Sequence, residues 1–445
     1  MTLQARLSAP VAPHSLAAFR ILLGAVMTFG LIRFMASGWI EELFIRPDYF
    51  FKYSGFQWMP VWGPTGLYAH FTIVGIAAFF VCIGFLYRVS LIVFLVGFSG
   101  IQLMDLTNYL NHYYFVILAF TLLLFVPANC CLSVDVLLRP AVRRDQVPAW
   151  SVYILRFQVA IVYIFAAVAK LTVDWLMSAQ PLSIWLSART HTPLVGTLFG
   201  EPWVAFAMSW GGLLYDATIV VFLLWARTRA FAYLAVVGFH VMTWVLFDIG
   251  MFPFIMIAAT TIYFSPGWPQ RWFASDAEAV EPSSIRPIKV WQSGLLALWC
   301  AAHILIPLRH YAIAGDVLWN EQGMRYSWKV MVREKMGSLT YRVERLEDGR
   351  VWEVNPARYL QPRQLSEMSG QPDMIVQLAH YIRYDFKVKG KGEVAVRADA
   401  LVSLNGRPAA RLIDPSVDLT RLRHSQSYIL EGPQGAALDP WAKKR

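Results

Sequence analysis

Residues 155–175 read LRFQVAIVYIFAAVAKLTVDW, an apolar run that ends at Lys170. An apolar helix needs about 20 residues to cross the hydrocarbon core of a bilayer. The window 153–170 approaches that length, and it would place Lys170 at the edge of the membrane. This stretch therefore predicts a membrane-spanning helix.

Eight further apolar windows occur along the chain. They fall near residues 16–36, 67–87, 89–104, 112–127, 205–225, 231–247, 249–264 and 291–306. The composition agrees, with 57% hydrophobic and 15% charged residues, because soluble domains have about 25% charged residues. Arg20 and Arg33 interrupt the first window and no cleavage pattern follows it, which indicates a retained span rather than a signal peptide. The sequence thus predicts an α-helical integral membrane bundle of about nine transmembrane helices over residues 1–306.

The basic residues of the loops predict the orientation of this bundle. With nine spans, the N-terminus and every second loop lie on one side of the membrane. That side carries ten basic residues, Arg6, Arg88, Arg139, Arg143, Arg144, Arg227, Arg229, Arg271, Arg286 and Lys289. The opposite loops carry Arg46, Lys52 and Arg189, with Lys170 at a span end. Because cytoplasmic loops are enriched in Lys and Arg, we expect a cytoplasmic N-terminus and an extracytoplasmic C-terminal part.

Residues 307–445 differ in kind from the bundle. The stretches 338–356 and 393–415 alternate apolar and polar residues around turn sequences, Glu-Asp-Gly in the first and Asn-Gly in the second. Each pattern predicts a β-hairpin. Residues 364–384 between them predict an amphipathic helix. We therefore expect a folded, β-rich extracytoplasmic domain at 307–445.

Charge placement and motif content exclude several classes of function. The net charge of +10 would favour a nucleic-acid partner, but 22 of the 39 basic residues share residues 307–445 with 16 of the 29 acidic ones. We therefore expect no nucleic acid as a partner. The four cysteines have no metal-binding or redox spacing, and no P-loop, GxGxxG, HExxH or GxSxG motif is present. We also expect no metal site.

Ionisable and polar residues at membrane depth are costly, so they are candidate functional residues. Desolvation favours the neutral amine of a lysine, and Lys170 could then act as a base. Alternatively, Lys170 could reach the interface or pair with Asp174 at helical spacing, and a role as base requires Asp174 to point away. The fourth span begins at Asn111 and His112, at the same outer depth as Lys170, while His240 lies within the seventh span. These histidines could equally be structural. Three other polar residues are interpreted as links between packed helices: Arg156, Gln158 and Asp216.

Several stretches carry a resemblance to one family, in order along the chain. They are NHYYFVILAF (111–120), SVDVLL (133–138), the stretch 155–175 quoted above, GGLLYDATIVVFLL (211–224), FHVMTWVLFDIGMFPFIMIA (239–258), FSPGWP (264–269), YSWKVMV (326–332) and VSLNGRPAARLIDPSVDL (402–419). With these stretches the sequence resembles the vitamin K-dependent γ-glutamyl carboxylase family, as a compact, bacterial relative. The family usually has a lysine pair at its active position, whereas here Ala169 precedes Lys170.

The resemblance implies roles for seven residues. Lys170 matches the family lysine that deprotonates vitamin K hydroquinone, and His112 matches the histidine that assists it. Asn111 and His240 match polar positions around the cofactor. A segment associated with holding the substrate glutamate contributes Tyr326, Ser327 and Trp328.

The resemblance also implies the cofactor and the reaction. The cofactor would be reduced vitamin K, as phylloquinol or menaquinol, with O2 and CO2 as co-substrates and no metal. Oxygenation of the quinol to the epoxide generates a base that removes a γ-proton from glutamate, and CO2 then adds. A dry site at the membrane edge suits this chemistry, because bulk water would quench such a base. The implied partners are membrane lipid and a glutamate-containing protein or peptide, at a bacterial inner membrane.

A second hypothesis belongs to a different class of protein. In it, the chain is a non-catalytic membrane module that binds a quinone or lipid, or that anchors a partner through its outer domain. The two hypotheses differ in whether Lys170 and His112 face one enclosed cavity or the lipid headgroups.

Overall fold

The computed structural model describes residues 2–271, 287–422 and 427–433. Its α-helices are α1 (Leu3–Leu7), α2 (His14–Ala36), α3 (Pro64–Ile83), α4 (Tyr87–Met104), α5 (Asn111–Phe125), α6 (Val134–Leu138), α7 (Trp150–Ala169), α8 (Val173–Ser178), α9 (Leu182–Ser187), α10 (Pro202–Leu224), α11 (Arg229–Leu246), α12 (Phe252–Thr260), α13 (Val290–Leu308), α14 (Val317–Asn320), α15 (Pro362–Ser369) and α16 (Pro372–Val388). Its strands are β1 (Pro10–Val11), β2 (Val147–Pro148), β3 (Lys335–Arg345), β4 (Val351–Val354), β5 (Val394–Leu404) and β6 (Ala410–Arg411).

The N-terminal part is a bundle of apolar helices. Among the described residues, seven helices are long and apolar enough to cross a membrane: α2, α3, α4, α7, α10, α11 and α13. Two shorter apolar helices, α5 and α12, lie among them in the chain. Each of the nine coincides with a predicted window. The predicted helical membrane bundle is therefore confirmed, and its count of nine is approximate because two members fall short of full span length.

A close backbone approach and a buried arginine hold the bundle together. Helices α2 and α3 meet at Gly24, where an added Cβ would lie 2.6 Å from the Cα of Cys82, and small residues allow such contacts between membrane helices. The fully buried Arg20 donates hydrogen bonds to the carbonyls of Val81 (2.9 Å) and Ala128 (3.0 Å). These bonds satisfy backbone oxygens that lipid could not.

The predicted links at Arg156 and Gln158 behave as expected. The Nε of Arg156 donates to the carbonyl of Ile262 at 2.9 Å, in the turn that directly follows α12. The amide oxygen of Gln158 accepts a hydrogen bond from the indole of Trp299 on α13 at 3.1 Å. Both side chains therefore join α7 to a neighbouring helix.

The C-terminal domain contains a four-stranded antiparallel sheet in the order β4-β3-β5-β6. Both predicted hairpins are present, as β3–β4 and β5–β6, although β6 has only two residues. The predicted amphipathic helix is divided into α15 and α16 by a break that ends at Pro372, because proline favours the first turn of a new helix. Helix α16 buries one apolar face, which includes Met374, Leu378 and Ile382.

This domain is docked on the outer loops of the bundle. The side-chain amide of Gln377 on α16 exchanges two hydrogen bonds with the backbone of Lys52, at 2.9 and 3.0 Å. Gln364 on α15 donates to the buried carboxylate of Asp105 at 3.0 Å. A shared apolar cluster continues across this contact from Phe51 to Tyr341. The domain is thus packed on the bundle through both polar and apolar contacts.

Candidate active site

Lys170 is buried at the end of α7, where it caps the helix. Its Nζ donates to the Oδ2 of Asp216 on α10 at 2.7 Å, and both side chains are less than 10% exposed. Nζ also lies 3.3 Å from the carbonyl of Ala166. The buried lysine amine therefore has a carboxyl partner from a different helix.

Asp174 does not pair with Lys170, so that alternative is wrong. Its carboxylate accepts two hydrogen bonds from the guanidinium of Arg407, at 2.5 and 2.7 Å. A third comes from the amide of Asn405 at 2.9 Å. Burial would raise the pKa of Asp174, but these hydrogen bonds outweigh it and hold the pKa below the usual value. Asp174 is therefore a charged anchor to the outer domain and points away from the lysine, as a base at Lys170 requires.

Lys170 and Asp216 line a largely apolar cavity. The aromatic rings of Phe239, Phe247 and Phe252 form much of its wall, and methionines contribute more of it: Met208, Met242, Met256 and Met331. We call this space the lysine cavity. Its lining is that of a site for an apolar or aromatic group.

His240 gives the lysine cavity an unsatisfied polar atom. Its Nε2 lies 3.1 Å from the hydroxyl of Tyr163, whereas its Nδ1 is buried and has no hydrogen-bond partner among the described residues. The side chain is 1% exposed. A buried polar atom without a partner is costly, and a ligand hydroxyl in the cavity could satisfy it.

His112 lines a second, more polar cavity, to which Asn108, Asn111, Lys329 and Arg363 also contribute. We call it the polar cavity. Within the part of the chain that the structure describes, the Nε2 of His112 and both amide atoms of Asn108 are buried without a hydrogen-bond partner. Lys170 and His112 therefore line two different cavities rather than the single one expected, and both side chains are buried.

A thin wall separates the two cavities. Four residues line both of them: Ile249, Phe252, Val330 and Met331. The ring of Phe252 lies between the two histidines, with its centroid 6.0 Å from that of His112 and 5.5 Å from that of His240. The two cavities are adjacent chambers divided by side chains.

The segment 326–331 contributes Val330 and Met331 to this wall. The expected substrate-binding residues of the segment, Tyr326, Ser327 and Trp328, lie elsewhere. Tyr326 and Trp328 pack against Tyr114, and Trp328 stacks on it at 5.2 Å. Ser327 accepts a hydrogen bond from Arg309 at 3.3 Å. Residues 326–328 are absent from the linings of both cavities, whereas Lys329, Val330 and Met331 are present.

The backbone of this segment is irregular and is held in place by its surroundings. Three of its residues have left-handed backbone angles, with φ of 63° at Tyr326, 56° at Trp328 and 54° at Met331. Such angles are unfavourable for non-glycine residues and persist only where packing enforces them. The backbone NH of Tyr326 donates to the hydroxyl of Tyr109 at 2.8 Å, and that hydroxyl donates to Asn111 at 2.9 Å.

Sequence comparison identifies both halves of the chain. Residues 8–268 match the HTTM domain family, which is more than half of the chain. Residues 288–434 match the vitamin K-dependent gamma-carboxylase, lumenal domain. The chain belongs to the vitamin K-dependent γ-glutamyl carboxylase family. No solved structure matches it.

Membership of the carboxylase family agrees with the layout of the molecule. The lumenal-domain match includes α13, so it begins before the boundary at 307 that hydropathy predicts. A lumenal domain is extracytoplasmic, in agreement with the orientation predicted from loop charges. Among the described residues of this carboxylase-family protein, no group of three or more His, Cys, Asp or Glu side chains is placed to hold a metal.

Asp216 joins α10 to the end of α7 through its hydrogen bond with Lys170, as expected of a link between packed helices. An acidic residue inside an apolar span is also a candidate functional residue. The sequence patterns do not point to Lys329 and Arg363. Each lies outside the apolar windows, and only the fold brings both to the polar cavity.

Proposed function

We propose that this protein deprotonates and oxygenates reduced vitamin K, converting the hydroquinone to the epoxide, and uses that reaction to carboxylate glutamate in a protein or peptide. The observation that carries the proposal is the buried Lys170 amine, which opens on an apolar cavity and is paired with Asp216 at 2.7 Å. Family membership supports the same reaction.

The lysine cavity contains groups that fit a quinol. The rings of Phe239, Phe247 and Phe252 would hold its aromatic head, and the unsatisfied Nδ1 of His240 would bind a hydroxyl. Reduced vitamin K together with O2 supplies, when bound, the strong base that the carboxylation needs. The protein contributes the proton acceptor, the orientation and the exclusion of water.

Asp216 gives Lys170 a route to its neutral form. Two opposite charges buried together each carry a desolvation cost. Moving one proton from Nζ to Oδ2 converts the ion pair into two neutral groups without changing the net charge. The neutral Nζ can then accept a proton from a hydroxyl in the cavity, and the Asp216 carboxyl holds the proton that Lys170 gave up.

The polar cavity suits the glutamate side chain. Lys329 and Arg363 can each bind a carboxylate by charge-assisted hydrogen bonds. His112 and Asn108 offer buried polar atoms that need partners. Because Ile249, Phe252, Val330 and Met331 line both this chamber and the lysine cavity, the glutamate γ-carbon would lie next to the quinol site.

The test measures the two halves of the reaction separately. Purified protein is incubated with vitamin K hydroquinone, bicarbonate and a glutamyl peptide, and the epoxide and γ-carboxyglutamate are quantified by mass spectrometry. We expect both products from the wild type and from Lys391→Ala, a control lysine on the outer domain, and neither from Lys170→Ala. Epoxide without γ-carboxyglutamate would restrict the function to quinol oxygenation. Quinone binding without epoxide would favour the non-catalytic module.

A further inference from the structure

We propose that Asp174, Arg407 and Asn405 form a positioning junction, through which the outer domain fixes the location of the Lys170 amine. This inference rests on the proposed role of Lys170 as the base. None of the three residues lines the lysine cavity, so they would act through the segment that carries the lysine.

The segment after Lys170 is short and is held at several points. Thr172 begins α8 by accepting a hydrogen bond from the backbone NH of Trp175 at 3.3 Å. The indole of Trp175 donates to the carbonyl of Ser209 on α10 at 2.8 Å, and the Lys170 Nζ lies 5.3 Å from the centre of that indole. Lys170 and Trp175 are thus both bonded to α10 of the bundle. Asp174, which lies between them in the sequence, is bonded to the outer domain instead.

The outer-domain side of the junction is the tight turn between β5 and β6. Asn405 and Gly406 have φ of 50° and 79°, the left-handed angles of an Asn-Gly hairpin turn. Asn405 is fully buried, and Arg407 follows directly on the turn. The turn geometry therefore directs both side chains at Asp174.

The same turn is also hydrogen-bonded to the chain near Val330 and Met331, which line the lysine cavity. Asn405 accepts a hydrogen bond from the backbone NH of Glu334 at 2.8 Å, and its own NH donates to the carbonyl of Glu334 at 2.9 Å. Glu334 follows the segment whose Val330 and Met331 line the lysine cavity. One turn of the outer domain is thus bonded to the chain on both sides of the cavity, four residues after Lys170 and three residues after Met331.

The chemistry of the junction makes it stiff. Arg407 binds Asp174 with two parallel hydrogen bonds, an arrangement that fixes orientation as well as distance. The side chains of Asp174 and Arg407 are 11% and 15% exposed, so solvent competes little for their hydrogen bonds. Small displacements of a catalytic group reduce rates strongly, by about 10²-fold for 1 Å.

The experiment uses the full-length protein with Asp174→Asn, Arg407→Gln and the double variant. We expect each single variant to lower kcat for epoxide formation by about 10²-fold, with a much smaller change in KM for the quinol. The double variant should be no worse than the poorer single one, because both changes break one contact. A second readout needs no turnover: the labelling rate of Lys170 by a small amine-reactive reagent, followed by mass spectrometry, should rise several-fold.

A matched control separates positioning from general stability. Glu344→Gln breaks an ion pair with Arg397 at 2.7 Å in the same sheet, and it should leave kcat and Lys170 labelling unchanged. Arg407→Lys keeps the charge but loses the paired geometry, and it should give an intermediate kcat if Arg407→Gln does not fold. A lower melting temperature with unchanged kcat and unchanged labelling in Asp174→Asn would overturn the inference. If the wild type forms no epoxide, the proposed function fails, while the labelling comparison still tests the junction.

Discussion

A lysine that serves as a base inside a membrane protein must be able to lose its proton there. We predict that Lys170→Ala lowers epoxide formation by about 10²–10⁴-fold, the usual contribution of a general base. Lys170→Arg should fail to a similar extent, because a guanidinium stays protonated. The measurement is epoxide formation against pH for the wild type and both variants. An arginine variant with wild-type activity would show that Lys170 is not the base.

The partner of this lysine should control the rate. In Asp216→Asn, Lys170 loses the carboxylate at 2.7 Å that takes up its proton, so kcat should fall by about 10²-fold. The rate of epoxide formation by the variant checks this, with Asp216→Glu expected to restore part of the rate. An unchanged rate would contradict a shared proton.

The sequence alone points to Lys170 as a candidate base, but it does not predict that Asp216 is the partner of Lys170. Asp174 stands four residues on, the spacing of a helical ion pair. That rule applies within one continuous helix, and here α7 ends at Ala169 and α8 begins at Val173. The true partner, Asp216, is 46 residues away on another helix. Pairing across that separation depends on how helices pack, which one sequence does not show.

At the scale of elements, the link between α8 and the β5–β6 turn should depend on pH. The pKa of Asp174 is held below its ordinary value of 3.8 by Arg407 and Asn405 against the opposing effect of burial. A depressed carboxyl pKa stabilises the fold fully above the ordinary value, and this stabilisation is lost as the pH falls through the lowered value. Breaking one partner of a buried ion pair costs about 3–5 kcal/mol. We therefore expect Asp174→Asn to lower Tm at pH 7, and the difference from wild type to shrink at strongly acidic pH. A constant difference would contradict this.

The start of α12 should keep the two chambers of the site separate. Phe252→Ala removes a ring that lies between His112 and His240 and that lines both cavities. Water and solutes could then pass between the chambers, and a strong base would be quenched before it reaches glutamate. We expect more epoxide per γ-carboxyglutamate than in the wild type. Phe254→Ala, at a more exposed position of the same helix, is the control. An unchanged product ratio would show that the ring does not divide the site.

At the scale of the whole molecule, local patterns predict the parts better than their assembly. Hydropathy places the nine apolar helices, and the Asn-Gly turn places the β5–β6 hairpin, because both depend on neighbouring residues. The docking contacts join residues far apart in the chain: Lys52 meets Gln377, and Asp174 meets Arg407. The division of the site into two cavities has the same origin, since α5, α12 and the segment 329–331 meet only in the folded protein.

These docking contacts lead to a prediction for the intact protein. The outer domain is bonded to the bundle through Gln377, Gln364 and Arg407. A docked domain offers a protease few flexible backbone segments to cleave. We expect residues 340–422 to resist limited proteolysis in the detergent-solubilised wild type. Asp174→Asn should be cleaved faster there, because one of the docking contacts is weakened, whereas Glu344→Gln on the sheet should be cleaved at the wild-type rate. Mass spectrometry of the fragments over time gives the comparison. Rapid removal of 340–422 from the wild type would mean that the domain is a tether, and it could not then hold Lys170 in place.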